Sequence, residues 1–135
     1  MRNDNSSRFG KYQELHFGGD GIVGARVMHY LLERSRVVTQ ATHERNYHIF
    51  YELLAGLDAS AKTRLQLGNA EDYVYLNRGK CVTVDGHSDR DLFFDVVNAL
   101  ATLRIDAANV SAVWSTLAAI LHLGQLHFVA NGNNS

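Results

Sequence analysis

Near its start the chain carries Asn3-Asp4-Asn5-Ser6-Ser7-Arg8-Phe9-Gly10-Lys11, a mostly polar stretch that runs straight into the alternating segment Tyr12 to Phe17. Two adjacent hydroxyls, an amide three positions before the first of them and an arginine directly after the second form a set suited to a phosphate chain and its metal. Hydroxyl oxygens are hard ligands that fit Mg²⁺, an ion that keeps some waters and completes its shell with substrate phosphates. Arginine adds a planar fork for a phosphate or carboxylate. The same composition also describes a polar loop turning into a strand, since Asn, Asp and Ser are turn residues. Short motifs match by chance often enough that composition alone leaves both readings open.

The elements that must position this loop follow at once. Gln13, Leu15 and Phe17 alternate with Tyr12, Glu14 and His16, the period of a strand. Gly18-Gly19-Asp20-Gly21 supplies the positive-φ residues of a tight reversal, and Ile22 to Leu31 resumes extended structure, which makes a β-hairpin. An isolated hairpin is marginal in water unless it joins a larger sheet or packs on helices, and its edges stay open to further strands.

From about Thr42 the period becomes helical, with Tyr47 and Tyr51 one turn apart and Phe50, Leu53, Leu54 and Leu57 in a stripe closed near Gly56. Asp58 or Ser60 caps a short second helix through Leu67, stopped by Gly68-Asn69. Tyr73 to Leu76 reads as an irregular connection. Ser88-Asp89-Arg90-Asp91 has the form of a capping box, opening a helix with Leu92, Phe93, Val96, Val97, Leu100 and Leu103 on one side. Asn109 begins the next, with Val113, Trp114, Leu117, Ile120 and Leu121 inward and Gly124 as its stop. Leu126 to Phe128 suggests a short strand, and residues 131–135 a solvated, flexible tail. The expected fold class is an α+β fragment, a β-hairpin followed by about four α-helices.

Composition bounds the rest. At 135 residues the chain has room for one domain at most. A net charge near −1 argues against a nucleic-acid partner or an anionic membrane. Cys81 is the one cysteine, which excludes an internal disulfide and suits the cytosol. Residues 1–11 lack the apolar core of a secretory signal, and no apolar run is long enough for membrane insertion. His43 with His48, and His122 with His127, stand five apart, not at the four-residue spacing of two ligands on one helix face. Cys81 has no partner histidine or acid in its sequence context for nucleophilic catalysis. Glu44, Glu52, Asp89, Asp91 and Asp95 read as mostly solvated helix faces, and Arg45 and His48 as packing and hydrogen bonding around a helix start. Proline is absent altogether.

Taken together, several blocks resemble one family. The pattern N-x-N-S-S-R-F-G-K running into a strand is similar to switch I of the myosin motor domain, the loop that closes over the γ-phosphate of ATP. Kinesins share N-x-x-S-S-R but continue with Ser-His where this chain has Phe9-Gly10. The likeness continues through Gly24 to Arg26, Tyr30 to Val37, Glu44 to Tyr51 and Leu117 to Gly124, in the family's order and near its spacing. Between residues 57 and 110 it is mostly one of pattern.

The resemblance implies a partial myosin motor domain over residues 1–130: switch I at 3–11, a hairpin of the central mixed sheet of a P-loop NTPase at 12–31, and helices of the upper 50-kDa subdomain at 42–128. It implies ATP and Mg²⁺ as cofactors. Asn3 and Asn5 would contact the nucleotide, Ser6 and Ser7 would bind it, Ser7 as Mg²⁺ ligand and Ser6 facing the attacking water, and Arg8 would pair with the glutamate of the second switch. That switch, D-x-x-G-F-E-x-F, and the phosphate loop, G-x-x-x-x-G-K-[ST], do not occur here, so the chain reads as an internal piece of an ATP hydrolase, expected to be inactive by itself. Without the second-switch glutamate, Arg8 is expected simply to be solvated. Implied partners are the actin filament, through the intact motor rather than mainly this segment, the remaining heavy chain, and light chains or calmodulin on the missing lever; the implied location is the cytoplasmic cytoskeleton. The alternative is a free-standing, non-catalytic helical interaction module derived from such a motor. Retention of Ser6, Ser7 and Arg8 together favours the enzyme segment.

Overall fold

The computed structural model describes residues 6–129, so Asn3, Asn5 and the tail at 131–135 lie outside the described residues. The chain divides into two compact units, one ending at Ser35 and one beginning at Arg36.

The first unit is the hairpin. Strand β1 spans Gly10–Gly18 and β2 spans Gly21–Tyr30, antiparallel, in register from Gly10↔Tyr30 to Gly18↔Gly21. Gly19 takes φ +56°, as the two-residue reversal requires. The register shifts between His16 and Phe17, where β2 holds an extra residue, a bulge that adds local twist. Leu15, Phe17, Ile22 and Val23 stay more than half exposed: pairing satisfies the strands' hydrogen bonds with each other but does not itself bury their side chains.

The second unit is helical: α1 His48–Gly56, α2 Ala59–Leu65, α3 Val74–Asn77, α4 Asp89–Thr102 and α5 Ala107–Leu123. The hairpin-plus-four-helix architecture holds for the elements of two or more turns; Tyr73 to Leu76, expected to be irregular, instead leads into and overlaps the single turn α3, whose Leu76 is wholly buried. Helix α1 starts at His48 rather than near Thr42; the Arg45 carbonyl accepts from Arg36 and the Asn46 N–H donates to the Tyr51 hydroxyl instead of to helical partners. Asp58 caps α2 by accepting from the Ala61 N–H at 2.8 Å. The reversal comes at Gln66, in the left-handed region at φ 54°, ahead of the expected Gly68-Asn69, and it delivers Leu67 to the core. Ser88 caps α4 by accepting from the Asp91 N–H at 3.2 Å. The cap of α5 is Asp106, not Asn109, which donates its N–H to Asp106 at 2.8 Å. Leu126 to Phe128 forms no strand.

Two apolar clusters make the core. One gathers Phe50, Tyr51, Leu54, Tyr73, Leu76 and Leu121; the other joins Leu53, Phe93 and Trp114; Leu67 and Leu117 pack against both. Two residues expected inward are not: Leu103 is 71% exposed because α4 has already ended, and Val113 faces out while Ala118 takes an inward place. Gly56 ends α1 as expected and also admits Phe93, whose ring would overlap any β-carbon there.

Candidate functional site

The polar loop approaches β1 through Ser6, Ser7 and Arg8, with both serines exposed and Arg8 half-buried. Exposed hydroxyls beside a guanidinium fit a magnesium phosphate in donor type, as hard oxygens for the cation and a fork for the anion. The loop's exit is fixed by the hairpin's open end. Gly10 pairs with Tyr30, whose ring leaves no room for a β-carbon on Gly10, and Phe9 meets His29 edge-on at 5.6 Å. Beyond Tyr30, Leu31 turns into the left-handed region at φ 54°, and the Glu33 N–H donates to the Arg8 carbonyl at 2.9 Å. The Arg8 Nη1 lies 3.3 Å from Glu33 Oε2. Arg8 is therefore not simply solvated, as expected without a second-switch glutamate; the chain supplies a carboxylate of its own, 25 residues on.

A second polar assembly sits inside the helical unit. Arg45 donates from Nη2 to Asp89 Oδ2 at 2.7 Å, and its guanidinium lies 3.8 Å from the centre of the Tyr51 ring. Arg36 donates to the Arg45 carbonyl and to Glu44, both at 3.0 Å. Asn46 donates to the carbonyls of Val37 and Tyr75, and the Tyr51 hydroxyl donates to Leu76 while accepting from the Asn46 N–H. These bonds tie the irregular segment before α1 to α3 and α4. Burial pushes the Tyr51 hydroxyl above its ordinary pKa, against the opposing pull of Asn46 and Arg45.

Glu52 and Asp89 depart from the mostly solvated helix faces expected of the carboxylates. Glu52 is 7% exposed, and burial first, then the nearby Asp89 charge, raises its pKa, with Arg45 opposing. A signal was present: Glu52 interrupts the apolar run Ile49 to Leu54, and a helix apolar all round is a buried one. Glu44 is paired with Arg36 and about one-third exposed. His122 Nε2 lies 2.9 Å from the Leu65 carbonyl, a structural contact between α5 and the end of α2. Among the described residues no three His, Cys, Asp or Glu side chains converge to hold a metal, and no helix is long and apolar enough to cross a membrane.

The family described as myosin head (motor domain) matches residues 1–135. The chain belongs to the myosin head family. It is 47% identical to unconventional myosin heavy chain 6 of Caenorhabditis elegans over 100% of its own length and 6% of that protein. Identity to myosin-VIIa of Drosophila melanogaster is 47%, over 96% of this chain and 6% of the relative; to human unconventional myosin-XV it is 48%, over 95% and 4%. The chain thus spans roughly a twentieth of the length of these three myosins. This myosin-head segment combines a hairpin bearing the serine-arginine loop with a separately packed set of helices.

Proposed function

We infer that this segment carries switch I of an actin-based, ATP-driven motor and contributes the loop that binds MgATP and positions the attacking water. The observation that carries the reading is the presentation of Ser6 and Ser7 to solvent directly ahead of an Arg8 whose direction is set by the hairpin's end. Hydrolysis of the γ-phosphoryl is in-line displacement by water, in which catalysis is mostly positioning and charge stabilisation. In this reading Asn3 and Asn5 contact the nucleotide, Ser7 gives its hydroxyl oxygen to the metal, and Ser6 orients the water. Mg²⁺ held by the Ser7 hydroxyl would supply positive charge against the phosphates. Arg8 moves to an acidic partner in the second switch, closing the pocket; loops of this kind gate turnover.

The phosphate cradle and second switch come from elsewhere in the heavy chain, so the 135-residue chain alone binds MgATP weakly and does not hydrolyse it. Actin engagement, light chains or calmodulin, and residence in the cytoplasmic cytoskeleton belong to the intact motor. Arg8→Ala in the intact heavy chain tests the reading: nucleotide binding is retained while single-turnover hydrolysis falls by about 100-fold or more, the scale of losing one transition-state contact. Hydrolysis at the unmutated rate would sink the role.

A further inference from the structure

We propose that Glu33 is a positioning residue for the loop, holding Arg8 in an open arrangement and giving it up when the loop closes. The proposal rests on the switch reading above and adds a residue that the reading does not contain. Glu33 holds Arg8 at two points. Its backbone N–H donates to the Arg8 carbonyl at 2.9 Å, which sets where the loop leaves β1, and its carboxylate stands 3.3 Å from Arg8 Nη1, which sets where the guanidinium points. The hairpin's pairing brings it there: the last strand pair is Gly10↔Tyr30, and Leu31 in the left-handed region turns the following residues back toward the loop.

The two contacts differ in how easily they exchange. The carboxylate–guanidinium pair is partly open to water, with side chains 34% and 35% exposed, and such pairs are weak. The backbone bond does not depend on the side chain. An acidic group elsewhere in the motor must therefore compete with Glu33 for the same guanidinium, while the base of the loop stays anchored. Glu33 biases the loop toward opening without fixing it there. Removing its charge while keeping its shape shifts that balance toward closure.

The experiment is single-turnover ATP hydrolysis by the intact heavy chain, comparing the unmutated protein, Glu33→Gln, Arg8→Ala and the double variant, with Glu33→Ala as a second way to remove the charge. The expected result is that E33Q speeds the hydrolysis step by about two- to fivefold, the range open to an exposed pair. ATP affinity is unchanged, and the gain shrinks as salt rises, because salt already screens the pair. In the Arg8→Ala background E33Q changes nothing further. An unchanged or slower hydrolysis step in both charge-removing variants overturns the proposal, as does an equal change with and without Arg8, which would make Glu33 a purely structural residue. Full hydrolysis by Arg8→Ala would instead overturn the switch reading itself; collapse of Arg8→Ala with E33Q unaltered overturns only the role of Glu33.

Discussion

Between Gly10 and Tyr30 the chain pairs two strands along their whole length, and between His48 and Leu123 it packs helices. Among the described residues every buried apolar side chain lies in the second stretch, from Phe50 to Leu121. The hairpin has comparable apolar material in Leu15, Phe17, Ile22, Val23 and Tyr30, yet each is at least half exposed. Backbone pairing is enough to specify a register, because each N–H finds a carbonyl across the ladder. It supplies no layer against which the side chains can lose water. A hairpin is therefore specified locally and stabilised only from outside, whereas five helical segments with two linked apolar clusters carry their own driving force.

The sharpest way to break this contrast is in the helical clusters. Trp114→Ala removes a side chain 8% exposed that packs 5.2 Å from the Phe93 ring centre, and costs about 3–5 kcal/mol in denaturant unfolding of the chain. A loss under about 1 kcal/mol would mean the second cluster is not a core.

A smaller effect, with a pH signature, comes from Glu52. Its folded pKa is raised above the ordinary 4.5, so ionisation is penalised in the folded state. The penalty is absent below the unfolded value, grows as pH rises from about 4.5 through the raised folded value, and is fully present above it. Glu52→Gln should therefore stabilise the helical unit at neutral pH, with the advantage fading as pH falls toward 4.5. Unfolding curves taken between those limits check it, and a pH-independent difference would contradict the burial-driven shift.

Smallest of all is Phe17→Ser, which leaves unfolding of the chain within about 0.5 kcal/mol, since the side chain is 71% exposed. A loss several times larger would show that the hairpin buries Phe17 after all.

The two ion pairs sharpen the same comparison. Arg45–Asp89 places an arginine side chain 6% exposed against a carboxylate 18% exposed, with the guanidinium over the Tyr51 ring, and it ties the segment before α1 to the start of α4 as structure. Arg8–Glu33 is looser, longer and wetter, which suits a contact that is exchanged. Arg45 and Asp89 stand 44 residues apart and Arg8 and Glu33 stand 25 apart, beyond what local sequence patterns can pair.

Much of the fold was legible for a local reason. Strand alternation, the glycine reversal, Asp58 and Ser88 as caps and Gly124 as a stop are all set within a few residues, where propensity and capping act. Errors fell where longer contacts outweighed that logic. Gln66 takes a left-handed conformation although Gly68 was available, because Leu67 is drawn into both clusters. The Thr42 to Tyr47 stretch stays out of α1, with the Arg45 carbonyl and the Asn46 N–H bonded to the Arg36 and Tyr51 side chains rather than to helical neighbours.

By itself the amino-acid order determined the family, the strand and helix periods and the chemical character of the Ser6-Ser7-Arg8 loop, since each resides in neighbouring residue types. Only the tertiary structure decided that Glu33 reaches Arg8, that Glu52 and Asp89 are withdrawn from water, and that the hairpin keeps its apolar faces exposed. Those outcomes depend on which distant side chains share one small volume, and burial and ion pairing are properties of that volume rather than of any single stretch of chain.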